Sequence, residues 1–219
     1  MTYQHRHING DPLKFIPGKA VCIGRNYADH IKELKNQTPK NPLLFIKPNT
    51  SFCGMEPTLT IPSDKGQCHH ELEISVLIGA PITRHQTNVI DSIWGLGLAL
   101  DLTLRDLQNE LKANGHPWEI AKGFDNSCPL TSFIPMNEFP ELDNITFQLT
   151  IDGEMKQNGH TSLMITTIEA LIQYTVQYFS LLPGDVLLTG TPAGVGALKK
   201  GNQLELNLNH RFKFSTLIG

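Results

Sequence analysis

The chain has 219 residues, 40% of them hydrophobic and 18% charged, with a formal net charge of −3. That is enough apolar side chain to bury a core, and the mild acidity gives no footprint for a nucleic-acid partner. No apolar run reaches the roughly 18–20 residues that cross a bilayer; the longest candidate, residues 93–100, is interrupted by Gly95 and Gly97.

Residues 1–10 are polar and His-rich, with no apolar leader core, so a cytoplasmic location is expected. Cys22, Cys53, Cys68 and Cys128 form no Cys-x-x-Cys pair and read as reduced structural thiols. There is no internal repeat, low-complexity tract or flexible linker, and one domain over residues 1–219 is expected.

In chain order, residues 20–23 read as a strand. Residues 26–34 read as a helix, with Asn26 as its cap and Asp29 three residues on. Residues 43–47, 72–78 and 97–101 are strands. Residues 103–113 form a helix capped by Thr103, and its Leu104, Leu107 and Leu111 make a core stripe at helical spacing. Residues 145–151 alternate as a strand with Ile145, Phe147, Leu149 and Ile151 on one face. Asp152-Gly153 then turns the chain into a partner strand at 154–157. Residues 167–181 form the longest helix, with Ile168, Leu171, Ile172 and Val176 inward. Pro183-Gly184-Asp185 is a turn, followed by strands at 186–189 and 203–208. Strands outnumber helices without βαβ alternation, which gives a β-rich α+β fold.

The chemistry concentrates in His69-His70-Glu71-Leu72-Glu73-Ile74-Ser75-Val76. On a period-two strand, Leu72, Ile74, Val76 and Ile78 point one way, and Glu71, Glu73 and Ser75 the other. The two carboxylates sit roughly 6.5–7 Å apart at Cα. They repel unless a cation lies between them. Asp101 ends an apolar run, where an acid is costly unless partnered. Three carboxylates suit Mg²⁺, Mn²⁺ or Ca²⁺ better than zinc. His69, on the same face, leaves a mixed nitrogen–oxygen site open. The alternative is that Glu71 and Glu73 form the solvent face of an edge strand; spacing alone does not prove that Asp101 joins them.

These residues carry a resemblance. His69-His70-Glu71-Leu72-Glu73, Ala99-Leu100-Asp101-Leu102-Thr103-Leu104-Arg105-Asp106-Leu107-Gln108, Ala121-Lys122-Gly123-Phe124-Asp125 and Leu188-Thr189-Gly190-Thr191-Pro192 resemble the fumarylacetoacetate hydrolase family. Gly24-Arg25-Asn26-Tyr27-Ala28-Asp29-His30 matches as well. The blocks fall in family order over about residues 20–210 and look most like the short acylpyruvase branch. Leu104, where a small residue is common, and Gly123 depart slightly from the pattern.

The resemblance implies a mixed β-roll with a few flanking helices, usually a homodimer. It implies Glu71, Glu73 and Asp101 as ligands of Mg²⁺ or Mn²⁺, with Ca²⁺ as a substitute. It places Arg25, Lys47, Arg105, Gln108 and Thr191 around a small 2-oxo or diketo acid, and Lys122 at the oxygen of a developing enolate. His30 and Glu33 become a proton-handling dyad on a lid, with the polar residues 35–42 as its mobile loop. Without the resemblance, a surface ion pair, a solvated lysine, a plain turn and an exposed helix face would account for these residues.

The first expected reaction is hydrolytic C–C cleavage of an acylpyruvate through an enolate held at the cation. The alternatives are oxaloacetate keto–enol tautomerisation, oxaloacetate decarboxylation and isomerisation of a hydroxyhepta-dienedioate, since all share an enolate and the motifs do not separate them. A metal-stabilised binding protein without turnover is the alternative outside enzymology. The run Gly190-Thr191-Pro192-Ala193-Gly194-Val195-Gly196 lacks the order and Lys-Ser/Thr ending of a nucleotide loop.

Overall fold

The computed structural model describes residues 3–219; Met1 and Thr2, the start of the polar N-terminal stretch, lie outside them. In chain order the strands are β1 (Ala20–Gly24), β2 (Leu43–Lys47), β3 (Phe52–Gly54), β4 (Thr58–Leu59), β5 (Cys68–His70), β6 (Leu72–Ile78), β7 (Ile93–Leu100), β8 (Thr103–Leu104), β9 (Cys128–Leu130), β10 (Ile134–Pro135), β11 (Thr146–Ile151), β12 (Glu154–His160), β13 (Val186–Leu188), β14 (Gly196–Ala197), β15 (Gln203–Leu208) and β16 (Phe212–Ile218). The helices are α1 (Ala28–Glu33), α2 (Arg105–Ala113), α3 (Glu119–Lys122) and α4 (Ile168–Thr175).

The largest sheet runs β2-β1-β13-β6-β7-β9-β3, with β10 also beside β7. It is mixed: β1 and β13 run parallel, whereas β6 pairs antiparallel with both β13 and β7. A second sheet runs β12-β11-β15-β16-β4, and a small third one β14-β5-β8. Few helices and a mixed sheet agree with the expected β-rich α+β class.

The main core lies between the two larger sheets. Leu72, Ile74, Val76 and Ile78 of β6 share one buried cluster with Phe147, Leu149, Leu204 and Leu206 of the second sheet, and with Ile168, Leu171 and Ile172 of α4. The reverse face of the large sheet packs Leu77, Ala99, Phe133 and Leu188, with Tyr3, Leu13 and Phe15 of the N-terminal segment laid against them. Both faces of β6 are therefore covered, and every residue in it is buried. This overturns the edge-strand alternative: β6 is central, and Glu73 and Ser75 face protein.

Two helices begin differently from the sequence reading. Asn26 does not cap α1; that position is Tyr27, without a side-chain bond. The Asn26 amide instead donates to the carbonyls of Thr166 and Thr189 and accepts from Thr166 N–H. A long-range latch has outcompeted a local cap. Thr103 is likewise withdrawn into β8, with its hydroxyl on the Asp101 carbonyl at 3.0 Å, and α2 starts at Arg105. α4 begins where the sequence places its start, and Thr167 caps it, its hydroxyl accepting from Ala170 N–H. It ends at Thr175, six residues earlier than its apolar pattern suggests, as the chain breaks into turns.

No helix among the described residues is long and apolar enough to cross a membrane.

Candidate active site

The ladder between β6 and β7 sets Leu72 opposite Leu100 and Glu73 opposite Ala99. Just past the last pair, Asp101 N–H donates to the Glu71 carbonyl at 2.8 Å. Three acids are thereby delivered to one end of the sheet by backbone register alone. One oxygen from each of Glu71, Glu73 and Asp101 lies within 4.8 Å of the others, and all three side chains are buried. His69 turns away, its ring facing Gln67 and Arg105, and stays outside the cluster.

Buried charge at this density needs partners. Lys122 Nζ donates to Glu71 Oε2 at 2.8 Å and to Asp101 Oδ2 at 2.6 Å. Arg105 donates one guanidinium nitrogen to Glu71 Oε1 and another to Gln108 Oε1 at 2.6 Å. The pairing of β8 with β5 makes this possible, because it brings the first residue of α2 over the strand that leads to Glu71. Glu73 differs: among the described residues its carboxylate accepts one hydrogen bond, from Gly190 N–H at 2.7 Å. Gly190 has φ +95, and a Cβ there would come within 2.7 Å of the Asn26 side chain, so only glycine aims this amide so closely.

The electrostatics follow these contacts. Burial alone would raise the Glu71 carboxyl, but Lys122 and then Arg105 outweigh it and hold it below the ordinary range. Burial, then Asp101 and Glu71, push Glu73 well above that range. Burial also opposes the charge of Lys122, but Asp101 and Glu71 raise it, so its ammonium is held firmly. Asp101 Oδ1 is buried and accepts no hydrogen bond. The Lys47 ammonium lies 2.8 Å from it, in ion-pair contact but outside hydrogen-bond geometry. An under-partnered Glu73 beside an orphaned Asp101 oxygen fits a hard divalent cation, with all-oxygen donors.

A narrow cavity of about 40 Å³ opens onto the triad. Of the residues expected at the site, Arg25, His30, Arg105, Gln108, Lys122 and Thr191 line it together with the three acids. Lys47 does not. It is fully buried beneath Asp101, and its ammonium is spent on the carbonyls of Leu102, Lys122 and Ser127 and on the Ser127 hydroxyl. Glu33 also stands back from the cavity. Its Oε2 faces His30 Nδ1 at 3.3 Å, and its Oε1 accepts from Gly194 N–H at 3.0 Å. α1 is thus tied to the 190s loop through the dyad. Thr191 spends its hydroxyl on the Leu72 carbonyl and the Gln157 amide.

Sequence reasoning passed over Gln157. This buried side chain accepts from Leu72 N–H and faces His70 Nδ1, both at 2.9 Å, while its amide nitrogen donates to Thr191 Oγ1 and to the Pro192 carbonyl. It joins the second sheet to the segments on either side of Glu71 and to the Thr191 turn. The available signal was its register: Gln157 stands opposite inward-facing Leu149, an apolar position.

Comparison with known proteins agrees with this geometry. The family model for the fumarylacetoacetate (FAA) hydrolase C-terminal domain matches residues 19–217. The chain is 49% identical over 209 residues to the oxaloacetate tautomerase YcgM of Escherichia coli, covering 94% of this chain and 95% of that protein. It is 38% identical over 190 residues to the human mitochondrial oxaloacetate tautomerase FAHD1, covering 86% of each. A crystal structure of fumarylpyruvate hydrolase from Pseudomonas aeruginosa, in complex with Mn²⁺ and pyruvate, superposes with a TM-score of 0.91 at 29% identity, covering 99% of this chain and 95% of that one. The curled, strand-rich mixed sheet is the fold of that C-terminal domain, and the chain is an enzyme belonging to the fumarylacetoacetate hydrolase family.

Proposed function

We propose that the enzyme catalyses keto–enol tautomerisation of oxaloacetate at a divalent cation held by Glu71, Glu73 and Asp101. The observation that carries this reading is the 49% identity to an oxaloacetate tautomerase along almost the whole chain. It reverses the order in which the sequence ranked the reactions, putting tautomerisation ahead of acylpyruvate hydrolysis. Mg²⁺ or Mn²⁺ is the proposed metal, and a homodimer in the cytoplasm is part of the same proposal, resting on the family resemblance.

The charge balance supports the assignment. Lys47, Lys122 and Arg105 already match the three carboxylates formally. A bound dication therefore leaves the site positive, suited to a dianionic substrate. Such a cation supplies Lewis acidity toward the 2-oxo oxygen. The protein's own groups do the rest. Arg105, braced by Gln108, is placed to fork the carboxylate next to the oxo group. Lys122 stays charged and stabilises negative charge arising on the oxo oxygen. His30, with Nδ1 turned to Glu33, offers Nε2 to carry the proton between C3 and the 2-oxo oxygen. The reaction transfers one proton from carbon to oxygen and consumes no water. The small cavity suits that, since about 40 Å³ holds about three water molecules at most. Substrate entry then requires α1 and its loop to swing outward.

The test follows the absorbance of enol-oxaloacetate with purified protein, with decarboxylation and acetylpyruvate cleavage assayed in parallel. Expected is a metal-dependent acceleration of enol decay that EDTA abolishes. Glu73→Gln should reduce it at least about 100-fold, while the melting temperature of the metal-free protein does not fall, since glutamine replaces a carboxyl already pushed toward neutrality. Undiminished activity in EDTA, or acceleration of C–C cleavage alone, sinks the reading.

A further inference from the structure

Two cations at the cavity have no carboxylate partner. Lys112, on the last turn of α2, lines it with its side-chain nitrogen on Asn36 Oδ1 at 3.3 Å and 5.9 Å from the Trp118 ring centroid. Arg25 lines it too, and its one hydrogen bond goes to the Gln37 carbonyl at 3.3 Å. Neither residue takes part in any ion pair among the described residues. Among the described residues, their hydrogen bonds go to neutral oxygens of the loop that follows α1.

Arg25 occupies this place at a conformational cost. Its φ is +63, in the left-handed region that residues with a Cβ seldom adopt. Strain of this kind persists where surrounding structure enforces it, and it clusters at ligand sites. A second sign is mutual repulsion: burial first, and then Arg25 and Arg105, press the Lys112 ammonium below its ordinary range. An electropositive pair left without an anion, at a cavity that the carboxylate triad also lines, has the character of an anion subsite.

We infer that Lys112 and Arg25 form a second carboxylate subsite, which grips the distal carboxylate of a 2-oxo diacid and selects diacids over 2-oxo acids with a neutral far end. The inference rests on the proposed reaction for the identity of the near end, where Arg105 holds the first carboxylate. It joins Lys112, as the specificity-determining residue, to Arg25, which the family resemblance already places around the substrate. Since the same two side chains hold Asn36 and Gln37, the distal carboxylate also draws the loop down over the substrate.

The test compares oxaloacetate with its 4-methyl ester, in which a neutral ester replaces the charged carboxylate of the far end. Lys112→Met keeps the aliphatic stem beside Trp118 and removes the ammonium. Expected is a rise of about 10- to 100-fold in KM for oxaloacetate, the scale of one charge-assisted hydrogen bond, with less than about a threefold change for the ester and with Lys112→Arg retaining the wild-type preference. Calorimetric affinities of both ligands for the Mn²⁺-loaded protein are measured alongside. They read the same contrast even if neither compound turns over, so failure of the proposed reaction stays distinguishable from failure of the subsite. Equal losses for diacid and ester, which a role in fastening the loop alone would give, overturn the inference. So does a wild-type protein that binds both ligands alike.

Discussion

In the five-stranded sheet, β11 buries Phe147, Leu149 and Ile151 and leaves Gln148 and Thr150 half-exposed. In the eight-stranded sheet, β6 buries all seven of its residues, Glu73 and Ser75 included. The first sheet has one wet face, so a polar side chain there costs little. The second is covered on both faces, so each polar side chain in it must find a partner within the protein or lose free energy. The carboxylate triad meets that condition only in part, through Lys122, Arg105, Lys47 and the amide of Gly190, and leaves Asp101 Oδ1 without a hydrogen bond among the described residues. The candidate site lies where polarity is expensive, because there fixed partners, rather than water, set the charge on each group.

The sharpest way to break this contrast is to remove a partner that does not face the cavity. Lys47 is fully buried, beneath Asp101. Lys47→Met is expected to destabilise the fold by about 3–5 kcal/mol, the cost of stranding a buried charge, read from urea denaturation of the metal-free protein. A loss below about 1 kcal/mol would mean that water or other groups already serve Asp101, and the contrast between the sheets would dissolve.

A second, smaller effect tests the covered face itself. His5 is fully buried against it, with Nε2 on the Gly184 carbonyl at 3.0 Å and its ring against Phe52 and Phe133. Burial lowers its pKa from 6.5 to about 4. A base with a depressed folded pKa binds fewer protons folded than unfolded. Stability from its neutral form is therefore whole above about pH 6.5 and drains away as pH falls toward 4. The limit is about 3 kcal/mol for a shift of this size. Denaturation midpoints taken between pH 7 and pH 4 should show this slope, and His5→Phe should flatten part of it. An unchanged slope in His5→Phe would place the sensitivity elsewhere.

The same contrast explains what could be read from sequence. The wet-faced strands announce themselves by alternation: β15 spans the expected 203–208, and β11 begins one residue late. β16 alternates too, with Phe214, Thr216 and Ile218 inward, but its pattern was overlooked because Thr216 interrupts the apolar set. Glu71, Glu73 and Asp101 were legible as acids in apolar company, and the family motifs joined them. The roles of Lys47, Gln157 and Asn26 were not legible. Each acts through bonds to residues 34 or more positions away, and no local pattern encodes a partner at that distance.

The smallest expected effect sharpens the comparison from its other side. Glu205 sits on the exposed face of β15, opposite Thr150 and Ser215, and joins no ion pair among the described residues. Glu205→Gln should change stability by less than about 0.5 kcal/mol and leave enol decay and metal affinity unaltered. The identical substitution at Glu73 is expected to abolish metal-dependent turnover. The two variants make the same Glu-to-Gln exchange on strands of similar length, so any difference between them measures the environment alone. If Glu205→Gln cost as much as a buried change, the wet face would be carrying an interface, and the rule separating the two sheets would have to be redrawn around it.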